Sequence, residues 1–324
     1  SALLLAIMLA GVLQGLMGLL RAGRFSTLIP GTVIKGMLSA IGILLIIQQI
    51  PLAFGSDGED SLKSLFDASE PGFSASALTV CLVGLAILWL WTTKPVQKIS
   101  AFSWLPGPLV AVLFGGLFTV YGERLSSEMV DNLPRIVLPE FGSLEQLMGE
   151  MTRPDWQAWK NPAVYVVAVT LALVASLETL LSQEALKKIR PQHPAPSPDK
   201  EMRAQGIGNL LSGFLGGLPI TAVIVRSSVN VNAGARTKFS ILLHGVLLLL
   251  CGLFMTDLLN VIPLASLAAV LLYTGYKLAS PQQFLLLWRQ GLQQFVPFAA
   301  TVIGIIVFGM LAGIGIGIVT QLAF

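Results

Sequence analysis

Long stretches almost free of charge recur along this chain, at 2–20, 34–54, 75–93, 105–121, 162–181, 206–218, 239–257, 261–279 and 295–324. A bilayer span needs about 20 predominantly apolar residues. No water reaches the backbone at that depth, so each span must satisfy its own N–H and C=O groups, which a helix does. The last stretch is long enough for two short helices. The pattern predicts an all-α polytopic membrane protein. Composition agrees: 54% of the residues are hydrophobic and 11% charged, against about 25% charged in soluble domains. The net charge of +3 is too small to argue for nucleic acid. The 32 Gly and 18 Pro suit membrane helices, where Gly permits close packing and neighbours re-satisfy a Pro kink.

The chain begins at Ser1 and ends at Phe324, both against apolar runs and without a basic leader or cleavage site. The expectation is no signal peptide and a piece of something longer. Cytoplasmic loops carry excess Lys and Arg. With loop 21–35 inside and strict alternation, the inside loops hold 14 cations against three acids, and the outside loops five cations against 13 acids. Every loop agrees, so loops 21–35 and 187–203 are expected in the cytoplasm. Segment 122–161, with Trp156 and Trp159, reads as an outside cap with interfacial aromatic anchors. The Pro-rich segment 187–200 reads as a flexible connector.

Glu178 is the first candidate functional residue. The fifteen residues before it, from Ala163 to Leu177, carry no charge. A carboxylate at that depth is costly and marks function by default. Ser182 lies one turn on, on the same face. A carboxylate and a hydroxyl so placed can hold Na+ between oxygen ligands, and a desolvated Glu can instead carry a proton. The bland alternative is a structural pair with Arg226.

The second candidate is GFLGGLPITAVIVRSSVNVNAGARTK, 213–238. Gly216, Gly217 and Pro219 interrupt an apolar stretch, and small or β-branched residues follow. This is the mark of a broken membrane helix: a helix ends, a short extended piece follows, and a half-helix starts. Its free N–H groups and positive dipole end favour an anion. Thr221 is expected to cap the half-helix, with Thr221, Ala222, Val223 and Arg226 binding the substrate anion. The bland alternative is an ordinary kink.

Gly309, Gly313 and Gly317, and Gly11 with Gly15, form helix-packing faces. Cys81, Cys251, His193 and His244 have no partners at metal-ligand spacing and read as structural. Lys35, Gln48 and Gln49 read as interfacial. No P-loop, zinc motif or nucleophile constellation is present, so no enzyme is expected, and no cofactor beyond a coupling Na+ on Glu178 and Ser182.

SLETLLS (176–182), AQGIGNLLSGFLGGLPITAVIVRSSVNVNAGARTK (204–238) and IPLASLAAVLLYTGYKL (262–278) resemble the sulfate permease (SulP) family of anion transporters. The opening LLAIMLAGVLQGLMGLLRAGRF resembles that family's fourth helix. The resemblance implies a fourteen-helix fold of two inverted seven-helix repeats with core and gate bundles. About eleven helices, four to fourteen, would be present, with the broken half-helix near 219–235. The first three helices, including the matching half-helix, and the cytoplasmic STAS domain would lie outside this sequence. Residues 163–257 would belong to the core bundle, and 34–121 and 261–324 to the gate bundle. Glu178 and Ser182 match positions where family members bind the coupling ion, and Arg226 matches an arginine near the anion site. Position 220 is Ile where relatives often carry a smaller residue.

The expected function is therefore secondary active transport of a small inorganic anion, bicarbonate or sulfate, coupled to Na+ or H+, by an elevator-like motion. The expected setting is a bacterial inner membrane and the expected assembly a homodimer. An anion channel or exchanger, or a dicarboxylate transporter, is the alternative on the same scaffold. A nucleobase transporter is disfavoured, because no second acidic or amide side chain lies near 220–225 to pair with base edges.

Overall fold

A computed structural model describes residues 1–23, 30–56, 74–93, 105–125, 130, 133–138, 149, 151–189, 197–223, 226–227, 230–231 and 234–324. The acidic loop 57–73, the basic loop 94–104, most of 126–150 and the connector 190–196 with His193 lie outside the described residues. The elements are α1 (Ala2–Leu19), α2 (Gly31–Phe54), α3 (Ala75–Trp91), α4 (Gly107–Leu125), a 3-10 turn (Trp156–Lys160), α5 (Pro162–Ile189), α6 (Pro198–Phe214), α7 (Phe239–Phe254), α8 (Thr256–Asn260), α9 (Leu264–Leu278), α10 (Pro281–Arg289), α11 (Leu292–Phe308) and α12 (Met310–Ala323). Among the described residues, α1, α2, α4 and the first 19 residues of α5 are long and apolar enough to cross a membrane, while α3, α7, α11 and α12 are apolar but shorter.

The chain divides into two compact units. The first holds 1–34, 141–248 and 308–324, and the second 35–140 and 249–307. In the first unit α1 lies against α5 and α6. Its crossing with α6 is a seam of glycines where backbone touches backbone. A Cβ on Gly11 would stand 2.6 Å from the Gly206 oxygen, and one on Gly206 2.6 Å from the Gly11 oxygen and the Gly15 nitrogen. Gly213 meets Leu4 and Met8 in the same way. Beside the seam, Leu5 and Ala6 of α1 pack against Val164 and Ala168 of α5.

In the second unit α3, α4 and α9 pack through small residues. Ala77, Val80 and Cys81 of α3 share a buried cluster with Ala265, Ala268 and Ala269 of α9. Gly84 of α3 faces Ala269, and Gly115 of α4 faces Ser266. Segment 133–138 pairs with the chain ahead of α9, through Ile136 N–H to the Ile262 carbonyl at 3.1 Å and Leu264 N–H to the Pro134 carbonyl at 2.9 Å. Asn260 completes this pairing: its side-chain oxygen accepts from Leu138 N–H at 2.7 Å, and its NH2 donates to the Leu138 carbonyl at 3.2 Å.

Three details differ from the sequence expectation. α6 starts well before the apolar run at 206, because Ser197 caps it, accepting from Lys200 N–H at 3.3 Å, with Pro198 in its first turn. Gly309 does not sit on a packing face; at φ +87° it separates α11 from α12, a left-handed conformation that suits glycine. Gly313 and Gly317 are buried on α12 as a packing face requires. The short helix α10 arises from Ser280–Pro281, a start signal of Pro in the first turn.

Candidate functional site

The site lies in the first unit, where α6 ends. Leu215 closes the helix, and Gly216 follows at φ +84°. Gly217 N–H then reaches back to the Ser212 carbonyl at 2.7 Å, and Gly216 N–H to Gly213 at 3.4 Å. These paired bonds around a left-handed residue form a Schellman end. Ser212 also donates its hydroxyl to the Leu218 carbonyl at 2.6 Å. A Cβ on Gly217 would collide with the Ser212 hydroxyl at 2.5 Å. Pro219 supplies no N–H for a resumed helix.

Side chains of α5 and α6 then hold the non-helical segment 217–223. Ile220 N–H donates to the Asn209 side-chain oxygen at 2.6 Å. The Ile220 carbonyl accepts from Asn209 at 3.2 Å and from Gln205 at 2.9 Å. Two residues on, Ala222 N–H donates to the Thr179 hydroxyl at 3.0 Å, and the Ala222 carbonyl accepts from Ser182 at 2.9 Å. Backbone groups of successive residues in extended chain face opposite ways. With Ile220 and Ala222 turned towards the helices, the backbone of Thr221 and Val223 turns away. Among the described residues, the N–H groups of Thr221 and Val223 have no partner.

A polar network stands behind this clamp. Asn209 also donates to the Gln14 side-chain oxygen at 2.7 Å, and Gln14 donates to the Ser176 hydroxyl at 3.2 Å. Gln205 donates to the Ala175 carbonyl at 3.1 Å, while its own side-chain oxygen is buried without a partner. Gln14, Ser176, Thr179, Gln205 and Asn209 are all buried.

The sequence candidates fall around the segment. Glu178, half-buried on α5, lies beside the Thr221 side chain. Ser182 meets Ala222, and its oxygen keeps lone pairs for a cation. Residues 224 and 225, from which a cap on Thr221 would take its bond, lie outside the described residues. The Val223 carbonyl accepts the helical bond from Ser227 N–H at 3.2 Å, so the helical turn starts after Val223, because Ala222 is committed to α5. Among its described residues, Arg226, Ser227, Asn230 and Val231 are helical. Arg226 is exposed. It is not paired with Glu178: among the described residues the ion pair is Glu123 with Arg135, at 2.5 Å. Sequence reading missed Gln14, Ser176, Thr179, Gln205 and Asn209 as site residues. The signal was present in the spacing: Gln205 and Asn209 lie four apart on one helix face, as do Glu178 and Ser182.

The chemistry of this cradle suits ions. The Glu178 carboxylate and the Ser182 hydroxyl lie on the supporting helix, unpaired backbone N–H groups lie on the segment, and an arginine follows it at 226. A model of the sulfate permease family matches residues 1–303. The chain belongs to the sulfate permease family. That family is one of anion transporters, not enzymes, and its members are integral membrane proteins. A putative sulfate transporter of Bacillus subtilis, YvdB, is 26% identical over 99% of this chain and 59% of its own length. The bicarbonate transporter BicA of Picosynechococcus is 30% identical over 83% of this chain and 45% of its own length. The chain thus spans about half the length of the curated relatives it matches. Its fold matches the transmembrane domain of a cyanobacterial BicA with a TM-score of 0.75 at 23% identity, over 99% of this chain and 76% of that one. It matches SLC26A9 with a TM-score of 0.80 at 17% identity, over all of this chain and 50% of that one. The fold is the inverted-repeat transporter fold expected from the sequence.

Proposed function

We propose that this chain is the membrane part of a secondary active transporter for a small inorganic anion, bicarbonate or sulfate, coupled to Na+ or H+. One observation carries the reading: a segment tethered to α5 and α6 through Ile220 and Ala222 turns the free N–H groups of Thr221 and Val223 away from its supports. Unsatisfied donors in a membrane interior cost several kcal/mol each, and an anion satisfies both. Arg226 adds a full charge. Glu178 and Ser182, on the supporting side, take the coupling cation.

Loading anion and cation together lowers the net charge that must cross. That permits an elevator-like movement of a core bundle, built around 163–257, against a gate bundle built from 34–121 and 261–324. Thr221 lies between the two loads, with its side chain beside Glu178 and its N–H turned towards the anion. The protein acts in a bacterial inner membrane, as a homodimer, with loops 21–35 and 187–203 in the cytoplasm. Names of relatives support both bicarbonate and sulfate, and the exposed N–H groups discriminate neither.

The test is uptake of labelled bicarbonate and of sulfate into proteoliposomes holding the protein at its full natural length, with and without an inward Na+ gradient at fixed pH and, without Na+, with and without a pH gradient. Uptake of one anion that collapses without Na+ places Na+ at Glu178 and Ser182. Uptake driven only by a pH gradient makes Glu178 a proton carrier. Flux of either anion indifferent to both gradients overturns the coupled reading in favour of a channel or exchanger.

A further inference from the structure

We propose that Asn209 is a positioning residue that sets the register of segment 217–223 and so aims the Thr221 and Val223 backbone at the anion; this rests on the function proposed above. Asn209 acts as the missing strand partner. A primary amide presents one acceptor and two donors on a planar group, which copies the N–H and C=O of a neighbouring peptide. Its oxygen takes Ile220 N–H at 2.6 Å and its NH2 serves the Ile220 carbonyl at 3.2 Å.

The amide has one working orientation. Its second donor bonds the Gln14 oxygen at 2.7 Å, and Gln14 in turn holds Ser176 at 3.2 Å. A flipped Asn209 would set its oxygen against the Gln14 oxygen and the Ile220 carbonyl, and its NH2 against Ile220 N–H. Gln14 belongs to α1 and never touches the segment in these bonds, yet it selects the amide orientation. Asn209 is 2% exposed and Gln14 fully buried, so water does not compete for either. Sliding the segment by one residue would give Asn209 the Thr221 backbone and turn the backbone groups of Ile220 away, because extended chain alternates.

The test compares Asn209→Leu, Asn209→Asp and Gln14→Leu in the full natural chain by hydrogen–deuterium exchange and by uptake kinetics. Leucine keeps the number and branching of side-chain heavy atoms without the hydrogen bonds. If Asn209 merely packs, Asn209→Leu leaves both readouts at wild-type values. If it clamps, exchange across 217–223 rises about tenfold or more in Asn209→Leu, the worth of one to two buried hydrogen bonds. Asn209→Asp keeps the acceptor for Ile220 N–H and loses the two donors, so its exchange falls between the two. Gln14→Leu raises exchange there by a smaller factor of roughly three, through the amide orientation alone. The anion KM rises in the same rank order among variants that retain measurable uptake. Wild-type exchange in Gln14→Leu and Asn209→Asp overturns the proposal even if Asn209→Leu fails to fold. Raised exchange with an unchanged anion KM also overturns it. A wild-type protein that takes up no anion sinks the transport reading, and with it the aiming role, whereas the exchange data still decide whether the clamp exists.

Discussion

Glu178 sits on the supporting helix beside the Thr221 side chain, between the two halves of the site. Glu178→Gln keeps the side-chain shape and an acceptor oxygen and removes the charge. The variant is expected to run as a folded, monodisperse protein in size-exclusion chromatography while ion-driven uptake falls by at least about tenfold, the loss of a charge-assisted contact with the coupling ion. Ion-dependent uptake at the wild-type rate would remove Glu178 from the mechanism. The carboxylate was legible in the sequence because the bilayer makes charge conspicuous. Asn209 and Gln205 were not, because amides in a membrane helix carry no comparable cost signal, and their partner is a backbone group that no residue name reveals.

At the level of elements, the crossing of α1 and α6 depends on residues with no side chain. A methyl on Gly206 meets backbone on the opposing helix at 2.6 Å, whereas one on Gly15 meets nothing within 4 Å. Gly206→Ala is therefore expected to lower stability by roughly 1–3 kcal/mol, the usual scale of overpacking, and Gly15→Ala to be close to neutral. Apparent melting midpoints of the detergent-solubilised proteins check this, and equal midpoints would refute the close crossing. The helices themselves were read from hydrophobic runs, which mark where a chain is dry. Those runs do not mark where a helix is capped, so the polar first turns of α6 and the whole of α10 escaped them. Glycine spacing named the seam on α1 but not its partner, because a contact between distant stretches leaves no periodicity within either one.

For the whole molecule, the proposed orientation makes a claim that needs no transport assay. Single cysteines introduced at Asp199 and at Asp155, in a background with Cys81 and Cys251 replaced, should be labelled by a membrane-impermeant maleimide from opposite sides. Asp199 should react only after the cytoplasmic face is opened, and Asp155 in intact cells. The reverse pattern would invert the topology that Lys and Arg bias implies. The family and its fold were legible because 204–238 carries a specific pattern. Among the described residues, each unit contains an asparagine that grips both backbone polar groups of a single residue, Asn209 on Ile220 and Asn260 on Leu138. A strand braced by another strand rests on groups common to every amino acid, and point mutation scarcely alters them. A strand braced by a side chain has its support written in one codon. Its alignment is therefore open to revision a single base change at a time, which gives selection a way to retune what the segment holds without rebuilding the helices around it.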